Sequence, residues 1–208
     1  MSAVEVWERY ASNSRPRRAV NAAGASTWLN WTQYPDHGPD ESVLGDLAGR
    51  RVLELGSGSG ANLAHLATLG GNCTGVDLAP SRTSTAVAEW GHLPGLEFVT
   101  ADAVAYLAEK DEVFDVMYSI FGAVWFTDPA ILLPAVRDRL RPGGVLAFSQ
   151  LPATEAGVIA GPAVSKWNYP ADQWEKMLAD TGFTATASVI PGPADGEVGT
   201  LLVHATAV

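Results

Sequence analysis

Arg51-Val52-Leu53-Glu54-Leu55-Gly56-Ser57-Gly58-Ser59-Gly60 sets a short apolar run directly against a glycine-rich turn. A run of this length, bounded by glycine, predicts a buried strand over Arg51–Leu55. Glycines at 56, 58 and 60 permit a tight turn and let backbone approach a ligand with no Cβ in the way. The residues from about Gly60 to Leu69 carry a helical pattern, stopped by Gly70-Gly71. Strand, glycine turn and helix make the first half of a βαβ unit.

Working outward, the same alternation recurs. Strands are predicted at Cys73–Asp77, Leu96–Thr100, Phe114–Ser119 and Val145–Ser149. Helices lie between them: after Pro80-Ser81 to about Trp90, from Ala103 to Leu107, and from Asp128-Pro129 to Leu140, where Pro142-Gly143-Gly144 forbids continuation. A long loop and a helix from Pro170 to Gly182 precede two last strands, Thr184–Ile190 and Thr200–Ala205. The link between those two, Pro191 to Gly196, holds no helix, so they are predicted to pair antiparallel. The pattern predicts one α/β domain over 1–208: a Rossmann-like, mostly parallel sheet with helices on both faces. Residues 1–45 differ, with an amphipathic helix pattern (Val4, Trp7, Tyr10) and then an irregular aromatic stretch. They are expected to form an N-terminal cap over the cleft of a core at 46–208.

Thirteen Lys+Arg against 23 Asp+Glu give a net charge of −10. Such a surface repels phosphate backbones, so nucleic acid is not an expected partner. The one basic cluster, Arg15, Arg17 and Arg18, is read as solvated or paired within the protein. A single cysteine, Cys73, allows no internal disulfide, and no Cys/His cluster has metal-ligand spacing. The charged N-terminal stretch does not read as a secretory leader, and no apolar run reaches the roughly 18 residues of a membrane span. A cytoplasmic monomer or homodimer without membrane partners is expected.

The acids near the glycine turn narrow the ligand. Gly56, Gly58 and Ala61 also satisfy the dinucleotide pattern G-x-G-x-x-G/A, so NAD stays open at this point. Asp77 ends the second strand 21 residues after Gly56, where a carboxylate can accept both ribose hydroxyls. Glu54 adds a carboxylate two residues before the first glycine, which would repel a pyrophosphate and attract an ammonium. Asp102, just past the third strand, is placed to accept from an adenine amino group or to cap the next helix. Three acids along one sheet edge suit a ligand with cationic groups.

Taken in order, these segments resemble class I S-adenosylmethionine-dependent methyltransferases. Val52–Gly60 is similar to their first motif, Val76-Asp77 to their second, and Ala101-Asp102-Ala103 to their third. Phe114–Ser119 resembles the fourth-strand motif and Leu140–Gly144 the turn before strand five, so the likeness spans about 45–150. It implies the sheet order 3-2-1-4-5-7-6 with the last strand antiparallel. It also implies that S-adenosylmethionine binds and S-adenosylhomocysteine is the product. Glu54 would meet the methionine amino group, Gly56, Ser57 and Gly58 the methionine portion, Asp77 and Leu78 the ribose side, and Asp102 and Ala103 the adenine. Ser119 would face the reacting end. Asp115, at the far end of its strand, is read as a strand-end polar residue.

Strand four is followed by Ser119-Ile120-Phe121-Gly122, not the [DNS]-P-P-[FYW] motif of DNA adenine methylases. A small acceptor, aromatic or apolar and from bacterial biosynthesis, is therefore expected. Tyr10, Trp28, Trp31, Phe121 and Trp125 are the candidate pocket residues, with Phe126 and Trp167 beside them. His37, in a segment expected to cover the cleft, is the candidate general base. Two other readings stand at this stage: a cofactor-binding protein with a non-methyl-transfer role, such as a cyclase, and an NAD-dependent oxidoreductase.

Overall fold

In the computed structural model, which describes residues 1–153 and 157–208, Arg51–Leu55 forms β1, and all of it beyond Arg51 is buried. Its central place explains that burial. β1 lies between β2 (Asn72–Asp77) and β4 (Phe114–Ile120), parallel to both. With β3 (Leu96–Thr100), β5 (Leu140–Gln150), β8 (Phe183–Ile190) and β9 (Thr200–Ala207), these strands make a seven-stranded sheet of order β3-β2-β1-β4-β5-β9-β8. β9 alone runs against the direction of the other six, pairing antiparallel with both β5 and β8. This is the expected order, with the reversed strand where the helix-free link predicts it.

Side chains alternate across the sheet and feed two cores. Leu53, Leu55, Met117 and Phe148 face α4 (Ala103–Glu109), α6 (Pro129–Arg139) and α7 (Ala171–Asp180). Val52, Val116, Tyr118 and Ala147 face α2 (Ala61–Thr68) together with Leu29, Trp31, Leu44 and Leu47 of the N-terminal segment. That second group corrects one expectation. Trp31 has no exposed surface, and its indole N–H donates to the Asp40 carbonyl at 3.1 Å, so it is a core residue and not a wall of the pocket. Truncating an indole in such a position typically costs about 3–5 kcal/mol.

α1 (Ala3–Asn13) opens with a capping box on Ser2 and Glu5, and none of its residues is fully buried. It lies along α3 (Pro80–Trp90), to which Glu8 ties it by accepting the Ser81 N–H at 2.9 Å. Three elements fall where no regular structure is expected: a 3₁₀ turn at Glu41–Leu44, the short helix α5 (Ala123–Phe126) and a hairpin of β6 (Gly157–Ile159) and β7 (Lys166–Asn168). Strands of three residues are too short to show a period, and this hairpin is held from outside: Asn168 accepts the Trp125 indole N–H at 2.6 Å. β5 also starts five residues earlier than the apolar run suggests, because Arg141 to Gly144 pass through a register shift opposite Phe114–Val116.

At the amino-terminal edge of the sheet, Asp115 accepts from the Arg51 N–H at 2.8 Å and from Arg141 at 2.9 Å, with Arg50 at 3.5 Å. Burial alone would push this carboxyl up, but the Arg51 N–H and the two guanidinium groups hold it below the ordinary range. A depressed pKa stabilises the fold above the unfolded value, about 3.9, and that contribution disappears as pH falls through the folded one. Asp115→Asn is expected to cost about 1–2 kcal/mol at neutral pH, the half-exposed arginines limiting the loss. Urea unfolding at several pH values should show the gap to the parent closing below about pH 4.

Candidate functional site

At the carboxyl edge of β1 the chain turns at Gly56 with φ +81°, and the Gly56 and Ser57 N–H groups both donate to the Val76 carbonyl, at 2.8 and 3.0 Å. A Cβ on Gly56 would stand 2.6 Å from the Ala123 nitrogen, and one on Gly122 2.6 Å from the Leu55 carbonyl. The turns after β1 and β4 therefore touch backbone to backbone, which only glycine allows. Gly58, with φ +55°, has open space where a side chain would be.

That space belongs to a cavity of about 610 Å³ above the sheet edge. Of the residues expected at a cofactor, Glu54, Gly56, Ser57 and Gly58 line it, as do Asp77, Leu78, Asp102 and Ala103. Asp77 is held from below, Oδ2 accepting the Gly58 N–H at 2.8 Å and Oδ1 the Ala79 N–H at 2.9 Å. A carboxylate oxygen has lone pairs to spare, so both still accept ligand hydroxyls. Asp102 is the N-cap of α4, its Oδ1 taking the Val104 and Ala105 N–H groups at 3.0 Å. Capping and facing the cavity are here compatible, because both bonds fall on one oxygen.

Ser119 is the exception. It is 1% exposed, its hydroxyl donates to the Leu55 carbonyl at 2.7 Å and accepts from the Val124 N–H at 3.3 Å. It does not line the cavity and instead pins the two turns together from beneath.

The electrostatics centre on two groups. Glu54 is 2% exposed, and its Oε2 is sealed from solvent with no hydrogen-bond partner among the described residues. Burial pushes it up to about 8, eased by the neighbouring Tyr118 hydroxyl, raised by Asp77 and eased again by Arg17. Arg17 lines the same cavity from the N-terminal segment, stacked on Trp28 at 3.8 Å. It donates to Asn62 at 2.8 Å and to the Trp28 carbonyl at 2.7 Å, and burial lowers it to about 10. Glu54 and Arg17 share a cavity but form no ion pair. The pair is a template for a zwitterion: an acid for its ammonium and a base for its carboxylate.

Aromatic side chains also line the cavity, though not all of those expected there. Tyr10 and Phe121 line the cavity, joined by Trp7, Phe126 and Trp167. Trp7 meets Phe126 edge to face at 4.6 Å. Phe121 has φ +48°, a conformation unfavourable for a large side chain, held by its N–H donating to the Ser149 carbonyl at 2.8 Å. Trp28 serves as the platform for Arg17, outside the main cavity, and Trp125 anchors the β6–β7 hairpin through Asn168. His37 is likewise displaced. Its Nδ1 lies 3.4 Å from the Thr32 hydroxyl, its ring is edge-on to Tyr34, and it does not line the cavity. No local signal marks Arg17 as a site residue, since its partner Asn62 lies 45 positions away. Trp7 lies on the predicted apolar stripe of α1, and that stripe is its only signal.

Residues 53–148 match the methyltransferase domain family. A probable phthiotriol/phenolphthiotriol dimycocerosates methyltransferase 2 of Mycobacterium ulcerans is 34% identical over 140 residues, covering 66% of this chain and 48% of that protein. The ubiquinone biosynthesis O-methyltransferase of Stutzerimonas stutzeri is 31% identical over 151 residues, covering 70% and 57%. The chain thus spans about half the length of the curated relatives it matches. Among solved structures, a Burkholderia thailandensis 1,6-didemethyltoxoflavin-N1-methyltransferase superposes with a TM-score of 0.65 at 22% identity, covering 81% of this chain and 74% of that one. That structure holds 1,6-didemethyltoxoflavin and S-adenosylhomocysteine.

Removing the displaced histidine offers a direct check. His37→Ala is expected to leave ligand affinity and turnover within about twofold of the parent, whereas a true general base would cost about 10²–10⁴-fold.

Proposed function

We propose that this chain, a member of the class I S-adenosylmethionine-dependent methyltransferases, transfers the methyl group of that cofactor to a small planar acceptor. The observation that carries this reading is the unneutralised acid and base, Glu54 and Arg17, lining one cavity beside the anchored carboxylate of Asp77. The residues fit the cofactor. Glu54 lines the cavity with no ion-pair partner among the described residues, and Gly58 sets bare backbone at its wall. Glu54 would hold the ammonium and Arg17 the carboxylate, with Asp77 on the ribose and Asp102 with Ala103 at the adenine. A pyrophosphate offers nothing for Glu54 to bind, which counts against the dinucleotide reading.

When bound, the cofactor supplies a methyl group on a sulfonium, an electrophile already activated for in-line displacement. What remains for the chain is placement. Holding a nucleophile in attack geometry supplies up to about 7–11 kcal/mol, so methyl transfer needs no elaborate catalytic set. Trp7, Phe121, Phe126 and Trp167 exclude water and offer flat apolar faces to the acceptor, and aromatic faces also favour a cation by about 0.5–2 kcal/mol. A planar acceptor fits such walls better than a flexible chain, because ring faces and edges pair at defined angles.

Calorimetric titration with S-adenosylhomocysteine and with NAD separates the cofactors; only the first is expected to bind. Asp77→Asn should lower affinity for S-adenosylhomocysteine by one to two decades, since a charge-assisted hydrogen bond contributes about 1.5–3 kcal/mol. Methyl transfer from labelled S-adenosylmethionine to a panel of phenols, enols and heteroaromatic amines then tests the acceptor class. Binding without transfer to any of them would favour a role other than methylation.

A further inference from the structure

Tyr118 does not line the cavity, but its hydroxyl neighbours the Glu54 carboxyl and eases it. In the parallel β1–β4 ladder it is the direct partner of Glu54, so both side chains leave the sheet on the same face. Tyr118 has no exposed surface and packs its ring edge against Trp31, with centroids 6.1 Å apart. Its hydroxyl and Glu54 Oε2 are both sealed from solvent, and neither has a hydrogen-bond partner among the described residues. Two orphaned polar atoms on directly paired residues, in a layer that Val52, Cys73, Val116 and Ala147 make largely apolar, are placed to satisfy each other; the third orphan of this face, Ser149 Oγ, lies on β5, on the far side of Tyr118 from Glu54.

We propose that Tyr118 is a positioning residue for Glu54: its hydroxyl donates to the carboxylate as the cofactor's ammonium arrives, and Glu54's proton leaves for solvent. This rests on the cofactor reading above. The step balances simply. The carboxyl O–H bond breaks, the proton goes to buffer, and the resulting carboxylate gains two donors, the ammonium from the cavity and the phenol from below. Filling the site therefore charges it, and an empty site carries no unsatisfied buried anion.

The surroundings support a neutral carboxyl in the empty cavity. Burial dominates and pushes Glu54 up to about 8; among charged neighbours Asp77 on β2 reinforces this and Arg17 of the N-terminal segment opposes it. Tyr118 itself is held well above its ordinary value, first by burial and then by Glu54, so it stays a proton donor throughout. Cys73 of β2, on the same face, is pushed up to about 12 by burial and by Glu54, and stays a thiol, while His204 of β9, the partner of Ala147, shares the face two strands beyond Tyr118.

Proton counting tests this without assaying activity. S-adenosylhomocysteine, which carries the same ammonium, is titrated calorimetrically at pH 7 in buffers of different ionisation enthalpy. The parent is expected to release close to one proton per ligand, and Glu54→Gln none. Tyr118→Phe keeps the ring against Trp31 and should bind about five- to tenfold more weakly at pH 7. That deficit should shrink as pH rises and Glu54 ionises unaided, a trend that a purely structural role for the tyrosine would not produce. Unchanged affinity in Tyr118→Phe, or no proton released by the parent, overturns the proposal while leaving the cofactor reading intact. A parent that does not bind S-adenosylhomocysteine overturns both.

Discussion

The turn after β1 and the turn after β4 press together through bare backbone, and the site depends on that contact. Gly56 and Gly122 stand where any Cβ would come within 2.6 Å of a main-chain atom of the other turn. The Ser119 hydroxyl bridges the Leu55 carbonyl and the Val124 N–H just below. Close approach here brings the carboxyl ends of β1 and β4 level, so Glu54 and Phe121 border one cavity from adjacent strands. It also sends the chain into α5, whose Trp125 fastens the β6–β7 hairpin at the acceptor side. One steric constraint thus sets the floor of the cavity and its aromatic wall together.

Charge is distributed on the same principle of incompleteness. Asp115, at the far edge of the sheet, is surrounded by Arg50, Arg51 and Arg141 and is held ionised. Glu54, on the ligand edge, has no cation in contact and is shifted the other way. Both are carboxyls on or beside the central strands, and both are buried. What separates them is whether the fold supplies the counter-charge or leaves it to a ligand. Arg17 mirrors Glu54, since its two contacts are a neutral amide and a carbonyl, with an indole face beneath it.

The N-terminal segment is less uniform than its composition suggests. Its aromatic residues divide three ways: Trp31 fills the core, Trp28 supports a cation, and Trp7 and Tyr10 border the cavity. Nothing in residue type separates these roles, because an indole serves packing, stacking and recognition equally well. α1 itself meets the rest of the molecule through polar ties, Glu8 to Ser81 and Arg82 to the Ser14 hydroxyl, and through the edge of Trp7 on Phe126.

The resemblance supplied the sheet order; strand and helix alternation, the glycine turn and the acids along the carboxyl edge were legible in the residues themselves. Each depends on local chemistry: the period of apolar residues, the freedom of glycine, and a carboxylate placed within a few positions of a strand end. Tertiary structure alone decided the rest. Ser119 reaches Leu55 across 64 positions, and Arg17 reaches Asn62 across 45. The pairing of Glu54 with Tyr118 exists only in the register of β1 against β4. The first and last depend on how β1 and β4 align and which way each side chain leaves the sheet, and a one-residue slip would break both, while the second depends on how the N-terminal segment lies against α2. The sequence therefore identified a carboxyl on the rim of the cavity, and the fold alone decided what stands behind it.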